Sequence, residues 1–100
     1  MNVVREEFKV NGKELVGVRV DLPHAPLIVI ASRNKPDCFV ACGYVDVQTA
    51  DKLGDCAGIV SGVKTFQDVL NAPIKKLSKE AERRGGTVGM TGSELLVKLG

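Results

Sequence analysis

Tryptophan is absent from this 100-residue sequence, tyrosine occurs once and phenylalanine three times. An aromatic core is therefore excluded, and any core must be aliphatic. Histidine also occurs once, which leaves a weak set of metal ligands, and no cluster has zinc-ligand spacing; neither metal nor cofactor is expected. Three cysteines are an odd number, and "MNVVREEF" has acids where an export signal needs bases and then an apolar run. The expectation is three reduced thiols in a cytoplasmic protein. No stretch approaches the roughly 18 apolar residues of a membrane helix. A net charge of +2 is too mild to imply nucleic acid. Internal repeats and low-complexity tails are missing as well.

What is present is valine, fifteen times. That much β-branching favours strands. The length suits one domain, 1–100, with no room for a second core. Residues 1–24 read as an amino-terminal hairpin and 25–100 as an α/β body.

In the hairpin, "LVGVRVDL" (15–22) alternates, with Val16, Val18, Val20 and Leu22 on one face. Val4, Phe8 and Val10 share a face upstream, and Asn11-Gly12 marks the turn. A two-residue loop would set the valines opposite Glu7 and Arg5. An odd-length loop sets Phe8 near Val16 and Val4 near Val20, which keeps apolar with apolar. The expectation is the odd loop, since a one-residue slip inverts every side chain.

Downstream, "LPHAP" (22–26) interrupts the strand. "LIVIAS" (27–32) and "CFVACGYV" (38–45) read as strands covered on both faces, separated by a polar turn at 33–37. Asp46 reads as the cap of a helix that stops at Leu53-Gly54. "CAGIV" (56–60) follows as a parallel neighbour of 38–45, joined by a short helical crossover. A second helix begins at Thr65 with Asp68 as an approximate capping box. Residues 72–77 are open between strand and helix, with Ser78 a possible cap. Thr91 and Glu94 open a last helix, "GSELLVKL". The fold class expected is α+β, a mixed and mostly antiparallel sheet with one parallel βαβ crossover and helices packed on it.

Candidate chemistry gathers where the two parallel strands end. Cys42 and Tyr44 fall at the carboxyl end of one, and Lys64 and Thr65 follow the other. Ligand clefts in α/β units form at that edge, so these four residues are expected to converge. Cys42 and Lys64 are the catalytic candidates, and Tyr44, Lys64 and Thr65 the ligand-binding ones. A nucleophilic Cys42 needs a base or a lowered pKa; otherwise it is a small buried hydrophobe. His24, between Pro23 and Pro26, reads as an exposed loop residue. "GIVSGVKT" (58–65) misses the triphosphate-loop spacing by one residue, and Val63 intervenes before the lysine. It can still offer a strand, a glycine turn, a lysine and a capped helix to a small anion. "GMTG" (89–92) makes a second such helix start. Cys38 and Cys42 lie about 13 Å apart if on one strand, too far for a disulfide. Lys75, Lys76, Lys79, Arg83 and Arg84 form a basic cluster interrupted by Glu80 and Glu82. No aromatics interleave, so a solvated face is expected rather than a nucleic-acid site.

Taken together, Ala25-Pro26-Leu27, Cys42-Gly43-Tyr44, Gly62-Val63-Lys64-Thr65 and Gly89-Met90-Thr91-Gly92, in this order, resemble the YunC-like family, a domain of unknown function. Gly85-Gly86 departs from the isolated glycine of relatives at that turn. The resemblance implies a mixed α+β fold and an amino-terminal β-sheet region that makes tetramers. It implies no reaction. The partners expected are other copies of the chain, as the resemblance implies, and a small anionic ligand from the turn, lysine and capped helix at 58–65, with no membrane.

Overall fold

The computed structural model describes residues 1–33 and 38–99; the polar turn expected at 33–37 falls largely outside them. The strands are β1 (Val3–Val10), β2 (Lys13–Asp21), β3 (Pro26–Ser32), β4 (Cys38–Ala41), β5 (Cys56–Ile59) and β6 (Lys76–Leu77). The helices are α1 (Val47–Leu53), α2 (Phe66–Asn71), α3 (Lys79–Arg83) and α4 (Gly92–Leu99). The six strands form one sheet in chain order, with β4 and β5 parallel and every other pair antiparallel. This is the α+β fold expected, with α1 as the crossover. No helix among the described residues is long and apolar enough to cross a membrane.

The hairpin register differs from expectation by one residue. Val10 pairs with Lys13 across a two-residue turn, so Phe8 lies opposite Leu15, and Val16 and Val18 lie opposite Glu7 and Arg5. The turn chemistry explains this. Asn11 (φ 49°) and Gly12 (φ 81°) both adopt positive φ, the type I′ geometry whose twist matches the strands. Leu15, not Val16, is therefore the fully buried residue of β2.

Tertiary packing makes this register workable. Phe66, the first residue of α2, lies over Gly17, where a Cβ would come within 2.6 Å of its ring. The same ring meets Phe8 at a centroid distance of 5.9 Å. Leu15, Ile28, Ile30, Val40 and Val60 continue this core face, with Val69, Leu70, Leu95 and Leu96 from α2 and α4 in the same cluster. Pairing register and alternation put Val16, Val18, Val20, Leu27, Val29, Ala31 and Phe39 on the opposite face. Among the described residues, α1 packs against β5. The valine stripe is left exposed or half-buried.

Two more expectations need correction. β4 ends at Ala41, and Cys42–Val45 is a turn closed by the Val45 amide donating to the Cys42 carbonyl at 3.1 Å. Cys42 and Tyr44 therefore follow the strand rather than forming its carboxyl end. Pro26 does enter the ladder, paired with Asp21, because it is the first residue of β3.

The capping sites are where the local sequence places them. Asp46 accepts from the Gln48 amide, Thr65 from Asp68, and Thr91 and Glu94 bond each other's amides reciprocally. The open segment resolves into the short strand β6, with Ser78 capping α3. Ser78 is fully buried, and its Oγ accepts from the amides of Ala57 (2.9 Å) and Ala81 (3.2 Å). Ser78→Ala leaves a buried strand amide and a helix amide without that acceptor. The expected loss is about 2 kcal/mol, read as a fall of roughly 10 °C in thermal midpoint.

Candidate functional site

Because β4 and β5 are parallel, the segments that follow them emerge at the same edge of the sheet. Cys42-Gly43-Tyr44 leaves β4, and Ser61–Lys64 leaves β5. The β2–β3 connection brings His24, Ala25 and Pro26 alongside. Together these three segments line a cavity of about 380 Å³, within the usual range for small-molecule sites.

Cys42, Tyr44 and Lys64 thus lie on one cavity, and so does His24, which the sequence marked only as an exposed loop residue. The only local signal for His24 is its place between two prolines, and that says nothing about what lies opposite. Thr65 is not part of this lining. Its hydroxyl caps α2, and it lines a different cavity beside Phe8 and Phe66.

The floor is apolar: Pro26, Val63 and the nearly buried Cys42. The Cys42 thiol is engaged, donating weakly to the Pro26 carbonyl at 3.7 Å while the Ile28 amide donates to its sulfur at 3.5 Å. That thiol pins the β2–β3 connection to the cavity wall. Among the described residues, the side chains of His24, Tyr44 and Lys64 make no hydrogen bond or ion pair. His24, Tyr44 and Lys64 therefore line the cavity with their polar groups unspent.

The start of α2 does not add to the site. The Lys64 amide donates to the Asp68 carboxylate at 3.1 Å and the Asp68 amide to Thr65 at 3.0 Å. Those amides are already occupied, and Asp68 puts a negative charge beside them. The anion-binding expectation for this segment rests on the Lys64 side chain alone. The start of α4 is similar, with the Thr91 amide taken by Glu94. In the basic cluster, Arg83 and Arg84 both bond Glu80. Their hydrogen bonds and charge lower the Glu80 pKa to about 2. One carboxylate thus serves two of the cluster's five cations. No grouping of three or more His, Cys, Asp or Glu suited to a metal occurs among the described residues.

A family model described as a domain of unknown function, DUF1805, matches residues 41–99, from the end of β4 through the cavity turn to α4. The chain belongs to the DUF1805 family. An uncharacterized Bacillus subtilis protein, YunC, is 31% identical over 94 residues, covering 90% of each chain. A crystal structure of a Thermoplasma acidophilum protein of unknown function, TA1206, is similar with a TM-score of 0.90 and 32% identity. The likeness covers 99% of this chain and 94% of that one. The DUF1805 match begins after the amino-terminal hairpin and takes in both turns that end the parallel strands. His24 lies outside it, contributed by the connection that follows the hairpin.

Proposed function

We propose that this DUF1805 chain is a homo-oligomeric binding protein. Its copies join through the uncovered face of the amino-terminal sheet, and each presents the His24–Cys42–Tyr44–Lys64 cavity to a small anionic ligand. The observation that carries the first part is the valine stripe. Val16, Val18, Val20 and Val29 share one sheet face with Val18 38% exposed, and among the described residues α2 and α4 pack their buried side chains into the core cluster of the opposite face. Its rim is polar and internally paired: Arg5 with Glu7 at 2.7 Å, and Arg33 with Glu7 and Glu14 at 3.2 and 3.3 Å. An apolar centre with an ionic rim is how stable interfaces are built. A second copy offers the same patch, and two-fold pairing closes the assembly. A further pairing through the exposed edge of β1 extends this to a tetramer. Light scattering tests the assembly: a monomer at tens of micromolar overturns it.

The ligand side rests on the three unspent polar groups over an apolar floor. They suit a molecule with one anionic group on a small apolar body. Lys64→Ala should weaken binding of such a ligand, retained through native mass spectrometry of gently purified protein, by roughly 10-fold or more.

A second reading has one observation in its favour: Cys42 and His24 line the same cavity, and a thiol with an imidazole is the raw material of nucleophilic catalysis. It calls for a Cys42 that is alkylated at neutral pH in the native protein and protected by the ligand. The binding reading calls for a Cys42 held inert by its contacts to Pro26 and Ile28.

A further inference from the structure

The odd cysteine count conceals a pair. Cys38 opens β4 and Cys56 opens β5, and the parallel register places them directly opposite one another. Cα atoms of such partners sit about 4.8 Å apart, inside the roughly 4.4–6.8 Å window for a disulfide. Both side chains point to the same face of the sheet, and their Sγ atoms are 2.6 Å apart. Cys42 lies at the other end of β4, engaged with Pro26 and Ile28, so the three thiols divide into a pair and a single residue.

We infer that Cys38 and Cys56 form a reversible intramolecular disulfide, a cross-strand clamp at the start of the two strands whose far ends carry the cavity. The oxidant is a low-molecular-weight disulfide. One protein thiolate attacks a sulfur of the reagent, giving a mixed disulfide and releasing one small thiol. The second protein thiolate then attacks the protein sulfur of that mixed disulfide and releases the other. The protein loses two electrons and two protons, and the reagent becomes two thiols. Both cysteines are buried, and burial together with the neighbouring thiol pushes the Cys38 pKa up. Exchange therefore follows local opening of the strand starts rather than direct attack on the closed fold. Because the bond spans the α1 crossover, it ties β4 to β5 at the end opposite the cavity.

The test uses the intact native protein, incubated with oxidised glutathione, quenched by alkylation and mapped by mass spectrometry. The expected product is one peptide pair joining Cys38 to Cys56, lighter by two hydrogens and restored by dithiothreitol, with Cys42 outside the bond. A Cys42→Ser chain should give the same bond. Three alkylatable thiols after prolonged oxidation would overturn the inference. A bond involving Cys42, a link between chains, or a lasting glutathione adduct on Cys38 or Cys56 would overturn it equally.

Discussion

A Val18→Lys chain should elute as a monomer with its helical circular dichroism intact, whereas a Leu15→Lys chain should fail to fold. The two residues are three positions apart on β2 and point to opposite faces. Val18 stands at the centre of the uncovered stripe, opposite Arg5 on one side and Val29 on the other. An ammonium there stays in water in the single chain, but assembly would drive it into an apolar patch. The expected penalty is on the order of 3 kcal/mol, or about 100-fold in association. Leu15 is fully buried on the core face. A charge there would be desolvated without a partner, a loss of more than about 4 kcal/mol, against a total stability of roughly 5–15 kcal/mol for a domain. Val3, 58% exposed on the same outer face as Val18, should tolerate Lys as a folded chain. Sedimentation and circular dichroism on the three variants separate the outcomes. An assembled Val18→Lys chain would remove the proposed interface.

Gly92→Ala should also be severe, against the ordinary rule that alanine improves a helix by about 1 kcal/mol over glycine. A Cβ at Gly92 would run into the carbonyl oxygen of Val69, with the Val69 carbonyl carbon at 3.2 Å and Val40 Cγ1 at 3.3 Å. The obstacle is the backbone of α2, which cannot swing aside as a side-chain end can. α4 would have to lift from α2 and β4, opening the core around Leu95 and Leu96. The expected net loss is about 2–3 kcal/mol, a fall of at least roughly 10 °C in thermal midpoint. Gly43→Ala is the control. Nothing lies within 4 Å of a Cβ there, so its midpoint should move by no more than a few degrees. Equal midpoints for the two variants would mean that α4 is not packed this closely on α2.

The features legible in the sequence are those whose causes lie within a few residues. Asp46, Thr65 and Thr91 cap helices because their side chains reach amides two or three positions on. The short link between 38–45 and 56–60 has room for a single helical crossover, which makes those strands parallel and sends Cys42, Tyr44 and Lys64 to one edge. Asn11-Gly12 also carried the correct register, and the alternating valines argued against it. Turn geometry acts on the chain before any face is chosen. Alternation says only that one face of a strand is more apolar, not which partner that face meets.

That choice was made at long range. Phe66 needs the bare backbone of Gly17, 49 positions earlier in the chain, and by seating there it draws Leu15 inward and turns Val16, Val18 and Val20 outward. Long range likewise hid the shared cavity of His24 and Cys42 and the opposition of Cys38 and Cys56. In each case the partners are set by strand order and register, which arise from packing the whole core at once. Thr65 is the converse case. Its neighbour Lys64 lines the cavity, but its own hydroxyl is committed to Asp68 as the cap of α2, and it lines the separate cavity beside Phe8 and Phe66. Local chemistry determined what each segment is, and only the assembled sheet decided which side chains meet.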